Sequence, residues 1–225
     1  QELAYSDPEE FNQAVRNDLE KGQTMLHLVL DEKGWIDPLN QEKVNSRGVS
    51  IASLQEIHKA FKNINMEEVP IYIEPGISGF PFFATFMAYI SQQNQCPNRI
   101  RGCIGFDPIG QLVQRGDLPY SINQAYKMMA EITRWSIKHS PQLKTIVVQT
   151  NPYQNAGGNA VQELAFAIAT GLEYFRTMEN HHISIDDVAK RIAFSFSIGS
   201  NFFMEIAKFR AVRMLWARIV KELGG

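Results

Sequence analysis

The chain has 225 residues, of which 44% are hydrophobic, and this composition suits an ordinary globular protein with one sizeable core. Its 22 basic and 24 acidic residues are interspersed and leave a formal net charge of −2, so no long-range field would recruit nucleic acid or an anionic membrane. No apolar run reaches the roughly 18 residues of a membrane span, and the N-terminus lacks the pattern of a secretion signal. We therefore expect a cytoplasmic protein without nucleic-acid or membrane partners.

Short apolar or β-branched runs alternate along the chain with longer stretches of helical period. Glycine or proline follows these runs, as expected where a strand gives way to a loop. Ser6-Asp7-Pro8 predicts an N-cap with proline near the first helical position. In chain order, the pattern predicts a helix at 8–21, a strand at 25–30, a helix at 52–63, a strand at 71–74, a helix at 82–93, a strand at 101–106, a helix at 122–138, a strand at 145–150, a helix at 159–176, a strand at 191–198 and a helix at 201–223.

The alternation predicts a parallel sheet, because near-continuous apolar strands such as Ile146-Val147-Val148 suit a sheet that is covered on both faces. Two architectures fit: a doubly wound sheet of five strands and part of an eight-stranded barrel. Both place ligands at the carboxyl ends of the strands. Because a closed barrel needs eight strands and about 250 residues, a barrel here would be incomplete and would leave unpaired strand edges. We then expect a fragment of a longer polypeptide or reliance on a partner's surface.

Two segments resemble the methylmalonyl-CoA mutase family of cobalamin-dependent acyl-CoA mutases. Residues 199–217 read GSNFFMEIAKFRAVRMLWA and resemble the segment after the family's fifth strand. Residues 157–174 read GGNAVQELAFAIATGLEY and are similar to its Ala-Gly-Ala turn and the helix behind it. The segment from Cys103 to Trp216 follows the family's sequence pattern essentially without gaps, and the first hundred residues follow it loosely. The resemblance implies an α/β fold of the (β/α)8 TIM-barrel type, here a partial barrel of about five βα units at 25–225, preceded by a linker and helix at 1–24.

Active members of this family carry a Tyr-His pair after the fourth strand, and the histidine hydrogen-bonds the thioester carbonyl of the substrate. The resemblance aligns this pair with Asn151 and Pro152. Proline has neither a side-chain donor nor a backbone N–H, so it cannot polarise a carbonyl. The resemblance therefore implies that this chain has no catalytic residue at these positions.

Other substrate contacts of the family also differ here. The resemblance aligns Cys103 and Gly105 with a threonine and a glutamine that reach the substrate, and Tyr72 and Glu74 with hydroxyl-bearing residues. A bulky ring and an anion would oppose the neutral pantetheine arm of acyl-CoA, which threads the barrel in the family. Arg115 aligns with an arginine that pairs with the substrate carboxylate, a natural use of guanidinium. A loop salt bridge or plain solvent exposure of Arg115 is the alternative.

In the family, adenosylcobalamin caps the barrel mouth, and a second domain with the motif Asp-x-His-x-x-Gly supplies the histidine below cobalt. None of the five histidines here lies in that motif, so we expect this chain to bind neither the cofactor nor a metal.

Cys96 and Cys103 are expected to stay reduced. Gly157-Gly158 could seat a phosphate, but a tight βα turn is favoured because no P-loop pattern accompanies the pair. Core and interface packing is expected of the apolar stripe Phe202, Phe203, Ile206, Phe209, Met214 and Trp216.

The leading hypothesis is a noncatalytic small subunit that stabilises a catalytic large subunit, which isomerises methylmalonyl-CoA and succinyl-CoA. The two chains would form a cytoplasmic heterodimer, with adenosylcobalamin in the partner or in the full complex. The alternative is an active cobalamin-dependent acyl-CoA mutase barrel domain, an isomerase that binds acyl-CoA through altered contacts. A third interpretation, independent of the family, is an α/β enzyme that uses the carboxylates of Glu74 and Asp107 as an acid/base pair.

Overall fold

The computed structural model describes Leu3, residues 5–31 and residues 48–225. A parallel sheet of five strands runs through this part of the chain, and short 3₁₀ turns lie at Gly76–Ser78 and Pro97–Arg99. The elements are α1 Pro8–Glu20, β1 Leu26–Val29, α2 Leu54–Ala60, β2 Ile71–Glu74, α3 Gly79–Gln92, β3 Gly102–Phe106, α4 Pro108–Arg115, α5 Ile122–His139, β4 Leu143–Gln149, α6 Asn151–Asn155, α7 Ala160–Asn180, α8 Ile185–Arg191, β5 Ile192–Ser195 and α9 Phe202–Glu222.

The strands follow one another in the sheet in chain order, β1-β2-β3-β4-β5. Strand β1 pairs with β2 in parallel, with Leu26 opposite Ile71, and β4 pairs with β5 in parallel, with Ile146 opposite Ile192. Parallel neighbours in sequential order require a crossover after each strand, and helices supply these crossovers. This arrangement confirms the predicted α/β fold of the partial TIM-barrel type.

The described residues divide into two compact units. The first comprises residues 1–106 and 135–145, and the second comprises residues 107–134 and 146–225. Strand β4 and helix α5 contribute residues to both units. The boundary that the sequence predicts between residues 24 and 25 stays a prediction. Among the described residues, no helix has both the length and the apolar content required to cross a bilayer.

Aromatic rings form much of the core of the first unit. The Phe61 ring meets the Phe86 ring edge-on at 5.4 Å and the Phe11 ring at 6.4 Å, so it joins α3 to α1. The Tyr89 hydroxyl is buried and donates to the Phe61 carbonyl at 3.0 Å, which satisfies the one polar atom of that ring. Fully buried aliphatic side chains of the two first strands complete this core: Leu26, Leu28, Ile71 and Ile73.

In the second unit, helix α9 packs through one aromatic contact region. The Trp216 ring stacks on Phe175 of α7 at 4.9 Å and meets Phe194 of β5 edge-on at 4.7 Å. A Cβ at Gly171 would come within 2.9 Å of the Trp216 ring, so this glycine lets α9 approach α7 closely. Ile146, Val147 and Val148 of β4 are buried, as their near-continuous apolar run predicts.

Local signals place several helix starts. Asp7 caps α1 by accepting from the N–H groups of Glu9 and Glu10, and Pro8 opens the helix, which confirms the predicted N-cap. Asn159 and Gln162 form a complete capping box at the start of α7. Three short helices, α4, α6 and α8, lie almost wholly where the sequence analysis predicts neither a helix nor a strand.

Candidate functional site

The segment after β4, which the resemblance aligns with the family's Tyr-His pair, opens the short helix α6. Thr150 precedes the helix, and its N–H donates to the Ser195 carbonyl at 3.0 Å. Asn151 is exposed, and its Oδ1 accepts from the Ser197 hydroxyl at 3.0 Å. Pro152 is half-buried in the first turn, where a proline fits without losing a helical hydrogen bond. This segment is therefore well ordered by neighbours, but it presents an amide and a pyrrolidine ring.

A buried ion cluster, formed by Lys208, Glu163 and Glu205, anchors the loops after β4 and β5. Lys208 Nζ lies 2.7 Å from Glu163 Oε2, 2.6 Å from Glu205 Oε2 and 2.6 Å from the Ser197 carbonyl. The side chains of Lys208 and Glu163 are each only 2% exposed. Glu163 Oε1 also accepts from the Ser197 N–H at 2.9 Å and from the Thr150 hydroxyl. The cluster thus ties α9 and α7 to both loops.

The charges of this cluster are mutually stabilised. Burial lowers the pKa of Lys208, but the hydrogen bonds to Glu163 and Glu205 outweigh that cost and raise its pKa above the ordinary value. The hydrogen bond from Lys208 lowers the pKa of Glu205. The ammonium also lies 5.9 Å and 5.7 Å from the rings of Phe196 and Phe209. Because Lys208 is already held by two carboxylates and a carbonyl, the cluster positions the loops and offers no free base.

Asp107 is the N-cap of α4 and is almost fully buried. Its carboxylate accepts from the Gly110 N–H at 3.0 Å, from the Gln149 N–H at 2.8 Å and from the Tyr174 hydroxyl. Burial raises the pKa of Asp107 to about 6, although these three donors pull it the other way. The Tyr174 hydroxyl itself accepts from the Ile109 N–H at 2.9 Å. These contacts join the end of β4 to the start of α4, and they leave Asp107 almost no exposed surface that a substrate could reach.

In the first unit, polar side chains occupy one face of β1 and β2. His27 lies opposite Tyr72 in the register, and Val29 lies opposite Glu74. The His27 Nε2 atom is 3.3 Å from Glu74 Oε1, and the rings of His27 and Tyr72 meet edge-on at 5.2 Å. Cys103 pairs with Tyr72 across the next ladder, and burial raises the pKa of its thiol to about 12. This face therefore carries a ring, an imidazole, a carboxylate and an inert thiol.

Glu74 and Asp107, the acid/base pair of the third interpretation, have separate partners. Glu74 contacts His27, whereas Asp107 is held by donors from Gly110, Gln149 and Tyr174. A shared proton between two carboxylates raises the pKa of one of them through like-charge repulsion, but burial is the cause of the shift at Asp107. These separate partners give no support to a proton shared between the two carboxylates.

Arg115 lies in the last turn of α4 and is exposed. Gly116 follows in the left-handed conformation, with φ at 84°, and ends the helix. This position at a helix end fits the loop alternative for Arg115 as well as the substrate-carboxylate role. The assignment of Arg115 to substrate binding stays a prediction.

Histidine and cysteine side chains are dispersed. Within the residues that the structure describes, no three His, Cys, Asp or Glu side chains are grouped so that they could hold a metal ion. Cys96 is exposed and Cys103 is buried, and both are free thiols. His181 caps the C-terminal end of α7, and His182 follows in a left-handed turn with φ at 59°, so this pair ends a helix and does not lie in a longer linker.

The glycine pair before α7 forms a tight turn. Gly157 has φ at 91°, and a Cβ at Gly158 would come within 2.8 Å of the Tyr153 carbonyl oxygen. Both positions therefore require glycine for backbone reasons. Asn159 already accepts from the N–H groups of Val161 and Gln162, which occupies donors that a phosphate would need. The geometry favours the turn over a phosphate site.

The apolar stripe of α9 is only partly packed. Trp216 contacts Phe175 and Phe194, as expected of a core residue. The other five members of the stripe are exposed in the single chain, so interface packing of these residues stays a prediction. Phe202 is 70% exposed, Phe203 81% and Met214 75%. The sequence interpretation also overlooked Lys208 in the middle of this stripe, although a lysine and a glutamate three residues apart in an apolar helix signal a paired charge.

Comparison with known proteins gives one consistent result. A family model described as methylmalonyl-CoA mutase matches residues 1–225. The chain is 31% identical over 227 residues to the methylmalonyl-CoA mutase of Rhizobium meliloti (strain 1021), covering 99% of this chain and 32% of that protein. It is 30% identical over 228 residues to the mitochondrial methylmalonyl-CoA mutase of Bos taurus, covering 99% and 30%. It is 28% identical over 229 residues to the methylmalonyl-CoA mutase large subunit of Propionibacterium freudenreichii subsp. shermanii, covering 100% and 32%. The chain thus spans about a third of the length of these curated relatives.

Proposed function

Because this chain belongs to the methylmalonyl-CoA mutase family, we propose that it is a noncatalytic small-subunit homologue of the mutase. In this role it forms a cytoplasmic heterodimer with a catalytic large subunit that isomerises methylmalonyl-CoA and succinyl-CoA. Adenosylcobalamin belongs to the catalytic partner or to the full complex. The observation that carries the proposal is Pro152, which stands where the resemblance aligns the family's histidine.

The surroundings of Pro152 support this proposal. Its carbonyl accepts from the Ala156 N–H at 3.2 Å, so the residue is built into helix α6. Within the same unit the histidines are His181 and His182, which follow the C-terminal end of α7. Glu163, in the first turn of that helix, contacts Thr150 beside Pro152, and a helix of 21 residues is about 30 Å long. Neither histidine can therefore supply the missing imidazole.

The polar face of β1 and β2 is a second support. The family threads a neutral pantetheine arm along its strands, and Tyr72 and Glu74 stand where it carries hydroxyl groups. Here Glu74 is 26% exposed and is engaged by His27. A partly buried carboxylate would oppose the phosphates and the apolar stem of acyl-CoA, because neither can satisfy its charge.

The proposal is tested by an assay of the purified chain with adenosylcobalamin and methylmalonyl-CoA. We expect no succinyl-CoA above the level without protein. The same chain, mixed with a catalytic mutase subunit that carries both Asp-x-His-x-x-Gly and an intact Tyr-His pair, should form a 1:1 complex in size-exclusion chromatography and raise the melting temperature of that subunit. Turnover by the chain alone, or the absence of any complex, would refute the proposal.

The alternative is an active acyl-CoA mutase barrel domain, and it rests on Arg115, which the resemblance aligns with the arginine that pairs with the substrate carboxylate and which is exposed in the last turn of α4. In that case Arg115→Ala should weaken methylmalonyl-CoA binding by about tenfold or more, while Arg134→Ala, which removes a guanidinium that contacts Glu131 and the His181 carbonyl, should leave it unchanged. If neither variant changes acyl-CoA binding, the noncatalytic proposal is favoured.

A further inference from the structure

Helices α1 and α2 border an open cleft of about 420 Å³ in the first unit. One face of α1 lines it, through Glu9, Asn12, Gln13 and Arg16, which recur at the spacing of a single helical face. The other wall is the last turn of α2 and the residues that follow it. A concave site of this volume is within the range that holds small ligands.

The cleft has an excess of positive charge. Lys59 Nζ lies 3.0 Å from Glu9 Oε1, so these two charges offset each other. Arg16 and Lys62 also line the cleft and are exposed. Among the residues that the structure describes, neither of these two side chains has a hydrogen-bond or ion-pair partner. Arg16 of α1 and Lys62 of the turn after α2 therefore line one small volume without a described carboxylate paired to either of them.

A buried side chain fixes the floor of the cleft. Asn12 is 6% exposed, and its Nδ2 donates to the carbonyls of Ala60 and Lys62 at 3.0 Å and 2.9 Å. Carbonyl groups at the C-terminal end of a helix carry partial negative charge and would repel an anion. Because Asn12 occupies two of them, this repulsion is reduced. The bond to the Lys62 carbonyl also ties the backbone of Lys62 to α1.

The α2 wall of the cleft also includes His58, which has contacts on both ring nitrogens. His58 Nε2 lies 2.9 Å from Gln92 Oε1, and His58 Nδ1 lies 3.5 Å from Gln93 Nε2, so the two amides bind opposite sides of the ring. The ring also packs edge-on against Tyr89 at 5.0 Å. These contacts hold the ring in place, and the α2 residues that line the cleft add no carboxylate.

We propose that this cleft binds a small phosphate-bearing anion, a phosphate monoester or a diphosphate. The Arg16 guanidinium matches a phosphate with paired donors, and the Lys62 ammonium contributes a second charge from the opposite wall. Gln13 and Asn63 add side-chain amides to the lining. A net charge of −2 gives the chain no general attraction for polyanions, so the cleft offers a local site for a small anion. None of the residues that carry the mutase proposal takes part.

Isothermal titration of the full chain with inorganic pyrophosphate, and separately with AMP, tests this proposal. We expect saturable 1:1 binding that weakens as salt is raised, because the contacts are exposed charges. Arg16→Ala and Lys62→Ala should each weaken it by about tenfold or more. Glu9→Gln should strengthen it severalfold, because it removes the carboxylate and releases Lys59. The matched control is Lys21→Ala, which removes an exposed cation from the end of α1 outside the cleft and should change nothing.

Three results would overturn the proposal. The first is no saturable heat from either probe up to millimolar concentration, with far-ultraviolet circular dichroism confirming that the chain is folded. The second is equal weakening by Lys21→Ala and Arg16→Ala, which would indicate nonspecific attraction. The third is a hexaglutamate peptide that binds more tightly than pyrophosphate, because that would indicate an acidic protein partner.

Discussion

The buried ion cluster allows a sharp test of how burial changes the contribution of an ion pair to the free energy of unfolding. Lys208→Ala leaves the carboxylates of Glu163 and Glu205 without their counterion, and the loss of one partner from a buried pair costs about 3–5 kcal/mol of unfolding free energy. The matched control is Lys59→Ala. That lysine has a similar ion-pair distance to Glu9, 3.0 Å, but the two side chains are 54% and 61% exposed, so its loss should leave the free energy of unfolding nearly unchanged.

Urea unfolding measures both variants. With a slope of about 2 kcal/mol per molar urea, Lys208→Ala should lower the midpoint by about 2 M and Lys59→Ala by less than about 0.5 M. The double variant Lys208→Met with Glu163→Gln should recover part of the loss. It removes one of the two carboxylates that would otherwise be buried without a counterion, and the introduced amide keeps an oxygen that can accept from the Ser197 N–H. Equal midpoints for the two single variants would refute the reasoning, as would a double variant that is less stable than Lys208→Ala.

Three other outcomes are expected in the same assay. Because burial raises the pKa of Asp107 to about 6 from an ordinary value of 3.8, its contribution to stability is full below about pH 4 and is lost as pH rises to about 6, a fall of about 3 kcal/mol that Asp107→Asn should not show. Gly110→Ala should destabilise the fold by about 2 kcal/mol or more, because its Cβ would overlap the Asp107 carboxylate, whereas Gln114→Ala on the exposed side of the same helix should be nearly neutral. Phe175→Ala should cost about 3–5 kcal/mol and Phe203→Ala, at a residue that is 81% exposed, less than about 0.5 kcal/mol.

The strands and the long helices could be predicted from the sequence, because their signals are local. Strand β2 has the bounds 71–74 that the sequence predicts, and β4 keeps the buried apolar run that predicts a covered parallel strand. The predicted strand at 191–198 is too long. Its last residues leave the ladder because the Ser197 N–H donates to Glu163, on another element, and not to a neighbouring strand. A side chain from a helix 34 residues away decides this end.

The short helices could not be predicted, because distant residues stabilise them. Helix α4 has a glycine in its first turn and only eight residues, which is too short for a stable isolated helix. It forms because Asp107 caps it while accepting from Gln149, 42 residues away, and from Tyr174, 67 residues away. The same limit applies to the candidate site. The resemblance aligns Pro152 with the family's histidine, but the contacts that hold its neighbours come from Glu163 and Ser197, which the sequence pattern does not indicate.

The contacts at the start of α6, where Pro152 lies, bear on whether this chain has lost a function or changed it. A chain released from all constraint would lose its buried charges first, because a cluster that keeps only some of its members is more costly than an apolar core. Here Glu163 contacts both Lys208 and Thr150, so this buried cluster holds the start of α6. A retained cluster next to Pro152 agrees with the proposed role of a scaffold that a partner needs for its shape. We therefore expect Pro152→His to fold with little loss of stability and still to lack turnover, since Cys103 and Gly105 would remain.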